Sequence, residues 1–127
     1  MPSLSDGSVS PVVKGIKRFF RVKGHDFIIL KQDTGNTRYV IKFNEPLKVT
    51  GAKYDKFYGF LMDSGFYLVY SDYGKLGGCP GYECFKWFEL YENDDGSEVS
   101  VEYIEKEVKG KSEVYIERID ILTPTGH

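Results

Sequence analysis

Two cysteines, Cys79 and Cys84, flank Pro80, Gly81, Tyr82 and Glu83. Two thiols at this spacing make half a zinc site, and no second Cys or His pair exists to complete one. The pair is read as two reduced thiols; the alternative is a disulfide closing the loop. His25 stands in a Gly24-His25 turn with no other imidazole or thiol near it in sequence, so it is read as a surface turn residue. The carboxylates of E-N-D-D-G (92–96) lack the alternating oxygen ligands and the closing Glu of a calcium loop. No nucleophile–base pair stands in a recognisable context, and no Gly-rich loop opens a helix. Paired carboxylates would be sought first at Asp63 and Asp72, which bracket one expected hairpin. The expectation is a non-enzymatic protein without a metal or other cofactor.

What the sequence does offer is cations beside rings. Residues 12–23 (V-V-K-G-I-K-R-F-F-R-V-K) read as a long strand with Ile16, Phe20 and Val22 on one face. Lys17, Phe19, Arg21 and Lys23 fall on the other. A helix competes, but Gly15 and the β-branched and aromatic content argue against it. A phenylalanine among three cations suits stacking on a base with phosphates alongside. The opposing reading has Phe19 packed under a loop and the cations simply solvated.

Residues 26–43 (D-F-I-I-L-K-Q-D-T-G-N-T-R-Y-V-I-K-F) form the clearest element, a β-hairpin around D-T-G-N. Its second strand places Tyr39, Ile41 and Phe43 on one face and Arg38, Val40 and Lys42 on the other. Lys31, Arg38 and Lys42 make a second basic stripe. Asn44-Glu45-Pro46 breaks the sheet, and L-K-V-T-G-A-K (47–53) is a further strand, with Leu47 and Val49 inward and a bulge at Gly51. Residues 54–57 are a loop or a continuation. Residues 58–62 and 66–71 are read as a hairpin around Asp63-Ser64-Gly65, and the glycine-rich stretch 72–83 as a loop.

Residues 85–91 are a strand carrying the only Trp, Trp87. Residues 98–105 alternate through Val99, Val101 and Tyr103. In residues 113–122 the inward set shifts from Val114 and Ile116 to Ile119 and Ile121, which predicts a β-bulge near Glu117 and Arg118. This C-terminal hairpin is acidic outside. Its expected roles are to cap a barrel, to guard an edge or to meet a basic partner. Residues 1–11 are small and polar and read as a loose tail, leaving residues 12–123 as one domain.

Charge is uneven. Residues 1–60 hold 11 Lys and Arg against 5 Asp and Glu, and residues 61–127 hold 6 against 14. Either one half faces a polyanion or the halves complement each other. The N-terminus has no signal-peptide pattern and no apolar run is long enough for a membrane helix, so a cytoplasmic protein is expected. One Gln and three Asn beside many Lys and Glu fit a thermophilic source.

Residues 12–76 resemble an oligonucleotide/oligosaccharide-binding (OB) domain. The resemblance lies in the long strand 12–23, the run F-I-I-L-K-Q-D-T-G-N-T-R-Y-V-I-K-F, then L-K-V-T-G-A-K and F-Y-L-V-Y-S as fourth and fifth strands. The helix often found between the third and fourth strands has no room. No segment carries a convincing helical period, so the chain reads all-β, with about eight strands in hairpin succession; with the resemblance, the expectation is a small antiparallel β-barrel elaborated by a C-terminal β-hairpin. The resemblance further implies single-stranded nucleic-acid binding through Phe27, Lys31, Arg38 and Lys42. Lys17, Phe19, Arg21 and Lys23, with Lys53 and Tyr54, would extend the groove. The alternative partner is a protein, or a second copy, met through strand edges and the acidic C-terminal hairpin.

Overall fold

The computed structural model describes residues 11–23, 26–31, 36–77, 79 and 83–124, with the side chains of 27–31 left aside. The elements are α1 (Pro11–Phe20), β1 (Phe27–Lys31), β2 (Asn36–Thr50), α2 (Gly51–Asp63), β3 (Phe66–Leu76), β4 (Glu83–Asn93), β5 (Glu98–Val108) and β6 (Lys111–Pro124). The chain is mostly β, as expected. Its six strands form one antiparallel sheet in the order β1-β2-β6-β5-β4-β3. The sheet is open rather than closed into a barrel: β1 and β3 are its edges, and no ladder joins them among the described residues. Neither helix is long and apolar enough to cross a membrane.

Two segments expected as strand are helices. In α1, Val13, Ile16 and Phe20 are buried, spaced three and four residues apart. A strand would split Val13 from the other two; a helix puts all three on one face. Pro11 at the first position suits a helix start. Gly15 is unfavourable in a helix by itself, but a Cβ there would lie 2.6 Å from Cζ of Phe60. Its absence lets α2 approach closely. The helix ends in a Schellman arrangement: the Arg21 N–H donates to the Arg18 carbonyl (3.3 Å) and the Val22 N–H to the Lys17 carbonyl (2.9 Å). Arg21 takes φ 53° to do so.

Helix α2 replaces the bulge, loop and strand expected over residues 51–62. Thr50 caps it, accepting the Lys53 N–H at 3.1 Å. Tyr54, Phe57 and Leu61 line its buried face. Asp63-Ser64-Gly65 is its exit rather than a hairpin turn, with Gly65 at φ 91°. Both helices cover one face of the sheet. Their apolar residues meet Tyr39, Ile41 and Phe43 of β2, Val99, Val101 and Tyr103 of β5, and Val114, Ile116, Ile119 and Ile121 of β6.

The β1–β2 pairing stands as read, Phe27 opposite Ile41 through Lys31 opposite Thr37. Most of its turn, 32–35, lies outside the described residues, as do His25 and residues 1–10 of the expected tail. Asn44-Glu45-Pro46 does not end the strand. The ladder to β6 jumps from Lys42 to Leu47 and continues, with Leu47 and Val49 against the core. β3 runs on through Leu76 and pairs with β4, not with residues 58–62. The expected bulge is present: Arg118 faces Glu102, Ile116 faces Tyr103, and Glu117 is skipped. Lys109 (φ 52°) and Gly110 (φ 77°) form the tight β5–β6 turn. One expectation fails here. β6 lies between β2 and β5, so the acidic hairpin is the middle of the sheet and guards no edge.

Cys79 and Cys84 form a disulfide, Cα atoms 6.2 Å apart, not the reduced pair expected. Leu76 lies opposite Cys84. The β3–β4 hairpin thus carries the thiols toward each other, a consequence of strand pairing that spacing alone does not give. Cys84 is fully buried. Closing so short a loop contributes about 2 kcal/mol. Cys79→Ser is expected to lose that amount in urea unfolding without reductant, and nothing when both proteins are reduced.

Candidate interaction surface

The sheet separates the residues expected to form one basic groove. Tyr39 and Ile41 face the helices, so Arg38 and Lys42, one residue out of phase, face away from them. Lys17, Phe19, Lys53 and Tyr54 lie in the helical layer on the other side. Phe19 is half-buried, with ring centroids 4.9 Å from Phe20 and 5.8 Å from Phe60. Lys53 Nζ sits 4.4 Å above its ring. Tyr54 is buried.

Arg38 pairs with Asp120 at 3.1 Å, and Arg118 grips the same carboxylate at 2.6 Å. Lys48 pairs with Glu113 at 3.2 Å, and Lys86 with Glu117 at 3.2 Å. The Tyr115 hydroxyl and Lys48 hold the Glu113 carboxyl below its ordinary range. Arg21, Lys23 and Lys42 are exposed, while Lys17 is half-buried on α1. The side chains of Phe27 and Lys31 lie outside the described residues; their strand is the β1 edge. Among the described residues no group of three or more His, Cys, Asp or Glu could hold a metal ion.

Among the described residues the most exposed apolar surface lies elsewhere, on the β3 edge. Of its 11 residues only Phe66 is buried. Tyr67, Leu68, Val69, Tyr70 and Tyr73 are 43%, 39%, 43%, 53% and 60% exposed, and α2 exposes Tyr58 and Met62. Adjacent apolar residues of this size on an edge strand are uncommon, since an edge offers free N–H and C=O groups to any passing strand. Val69 is a bulge: Leu68 faces Tyr91 and Tyr70 faces Leu90. The Tyr73 N–H donates to its neighbour Asp72 at 2.9 Å, which sets that donor on the free side of the strand.

Two of the exposed rings stand on a fixed base. Tyr73 stacks on Trp87 at 4.6 Å, Trp87 on Tyr103 at 6.1 Å, and Tyr103 meets Tyr54 at 4.5 Å. Tyr58 of α2 meets Tyr91 at 6.0 Å. Below them, one carboxylate takes three phenols. Glu89 accepts from Tyr54 (2.5 Å), Tyr91 (2.7 Å) and Tyr103 (2.8 Å). Burial first, then the Glu89 charge, pushes all three hydroxyls far above the ordinary 10.0 of tyrosine. The neutral form is thus favoured in the fold over the unfolded chain. That stability is complete below pH 10 and drains away as the pH rises above it. A phenolate absorbance titration is expected to leave these three tyrosines un-ionised until the protein unfolds, with unfolding steepening above pH 10.

The sequence carried a sign of this edge. F-Y-L-V-Y (66–70) has no polar residue on either alternation, so one of its faces must be exposed unless both are covered.

No protein-family model matches the chain, and no curated protein matches it. Among solved structures it is similar to ORF14 from Sulfolobus islandicus filamentous virus. The two are 16% identical, the match covers 94% of this chain and 88% of that one, and the TM-score is 0.37. A likeness at that score decides neither fold nor function.

Proposed function

We propose that the protein is a non-enzymatic assembly module that adds a partner strand to the β3 edge. The observation that carries this reading is the run of exposed Tyr67, Leu68, Val69, Tyr70 and Tyr73 on an edge strand. Main-chain pairing would supply affinity, and the Tyr73 ring, already stacked on Trp87, would supply shape at little ordering cost. The polar chemistry beneath the patch supports a structural role, since the Glu89 carboxylate is taken up by three hydroxyls.

A lysine on this edge opposes strand addition. Val69→Lys is expected to weaken docking by about 1–2 kcal/mol, roughly tenfold. Amide hydrogen exchange reads it for any partner. β3 amides of the native protein gain protection in concentrated protein or in extract, and those of the variant do not. Equal exchange of β3 in dilute buffer and in both mixtures would rule the edge out. Tight binding of a fluorescent single strand, lost steeply as salt rises, would instead favour the oligonucleotide reading and the exposed Arg21, Lys23 and Lys42.

A further inference from the structure

Five cations of the sheet are paired with carboxylates: Arg38 and Arg118 with Asp120, Lys48 with Glu113, Lys75 with Glu83, and Lys86 with Glu102 and Glu117. Helix α1 differs. Lys14, Arg18 and Arg21, with Lys23 just beyond, are exposed and make no ion pair among the described residues. At 3.6 residues per turn, the positions of Lys14, Arg18 and Arg21 fall within about 60° of one another and span about 10 Å. They form one row on the outer face of the helix.

Neither packing nor the helix dipole accounts for that row. The buried face is supplied by Val13, Ile16 and Phe20, so any polar outer face would serve. Arg18 and Arg21 suit the C-terminal end of the dipole. Lys14 closes the first turn, where a cation is disfavoured and no acidic residue offsets it.

The surroundings of the row narrow the anion it fits. An anionic bilayer holds a helix through apolar side chains set below its cations. Here Val12, Val13, Ile16, Phe19, Phe20 and Val22 all belong to the core or pack against it, so none is left to insert. Unpaired bases are held by stacking on exposed rings. Phe19 is half-buried against Phe20 and Phe60 with Lys53 over its face, and Phe20 is buried. Cations without a free ring match a duplex, whose bases are stacked inside and whose phosphates lie outside. A length of about 10 Å of duplex presents about six phosphate charges. Arg18 and Arg21 can each grip a phosphate through two parallel N–H groups.

The sheet shields this approach from part of the acidic C-terminal half. Glu102 alternates with Val101 and Tyr103, and Asp120 with Ile119 and Ile121. Those neighbours meet the helices, so the two carboxylates point from the opposite face.

From this row of free cations, with no free ring or apolar rim beside it, we infer that the outer face of α1 binds the phosphate backbone of a nucleic-acid duplex. Lys14, Arg18, Arg21 and Lys23 make the contacts, which position the duplex without reading its sequence. Strand docking at β3 uses a different element, so either property can fail without the other.

Fluorescence anisotropy with two labelled duplexes of unrelated sequence tests this. With about four phosphate contacts, log K is expected to fall against log salt with a slope of about −3.6, alike for both sequences. Lys14→Gln combined with Arg18→Gln should bring the slope to about −1.8 and weaken binding at low salt at least about tenfold. Glutamine keeps the helix propensity of the residues it replaces, so the circular dichroism should not change. Lys109→Gln combined with Lys111→Gln removes two exposed cations from the β5–β6 turn and is expected to leave slope and affinity unchanged.

No duplex binding at low salt overturns the inference. So does an equal loss from the turn pair and the α1 pair, because binding would then follow net charge and not the row. A single strand held more tightly than its duplex would mean stacked bases, and vesicles of anionic lipid captured in place of the duplex would mean a membrane face. Poly-glutamate that competes as well as duplex, charge for charge, would mean an acidic protein partner. Each of these three results overturns it too.

Discussion

Glu89→Leu is expected to lower the unfolding free energy by about 3–5 kcal/mol. The carboxylate accepts three hydroxyls, from Tyr54, Tyr91 and Tyr103. Leucine accepts none. Tyr54 is 7% exposed, Tyr103 6% and Tyr91 0%, so the orphaned donors have little water to turn to. A buried hydroxyl without a partner costs about 1–3 kcal/mol. Tyr54→Phe removes one donor and leaves the acceptor served by two others, so its expected cost is only about 1 kcal/mol. Urea unfolding of the two variants separates these cases. A Glu89→Leu loss as small as that of Tyr54→Phe would mean that the network is not formed. Because Tyr103 and Tyr91 carry the rings under the β3 patch, Glu89→Leu should also loosen that surface, read as faster amide exchange in β3 and β4.

Phe57→Ala is the second large loss, about 3–5 kcal/mol. The ring is fully buried. It lies 4.7 Å from Phe20, 5.6 Å from Phe19, 5.9 Å from Tyr54 and 6.5 Å from Phe60, centroid to centroid. Removing it opens a cavity where α1, α2 and the sheet meet. Rings on both helices cannot all close in at once, so the transfer and cavity terms add. Were residues 54–57 the surface loop that local propensity suggests, the same change would cost well under about 1 kcal/mol. Thermal unfolding followed by the helical and aromatic dichroism signals distinguishes the two.

Both helical segments are ambiguous at short range. Ile16, Phe20 and Val22 satisfy period two, and Gly15, Val12 and Val13 lower helix propensity. Val13 with Ile16 and Phe20 satisfies the helical period equally well. What decides is the burial of that second set against the sheet, which outweighs a propensity difference of about 1 kcal/mol per residue at most. Pro11 and Thr50 were the local signs available, one at a first helical position and one as a cap.

The cations fared similarly. Arg38 meets Asp120, 82 residues away, so its neutralisation is invisible to any window of sequence. The residues expected in a groove share a sequence pattern, but only a strand in place of α1 would give them a common face, and the fold has a helix there.

By itself, the sequence determined what depends on neighbours a few residues apart. The β1–β2 pairing, the run of strands from β4 to β6, the Lys109-Gly110 turn and the bulge at Glu117 all follow from alternation and turn chemistry, which are local. Strand order, the packing of two helices on one face, the disulfide and the carboxylate shared by three tyrosines were decided only by tertiary structure. Which strand ends a sheet is a property of every other strand's pairing. The apolar run 66–70 therefore shows that one of its faces is surplus to a core, and only the fold shows that it lies at the rim of the sheet.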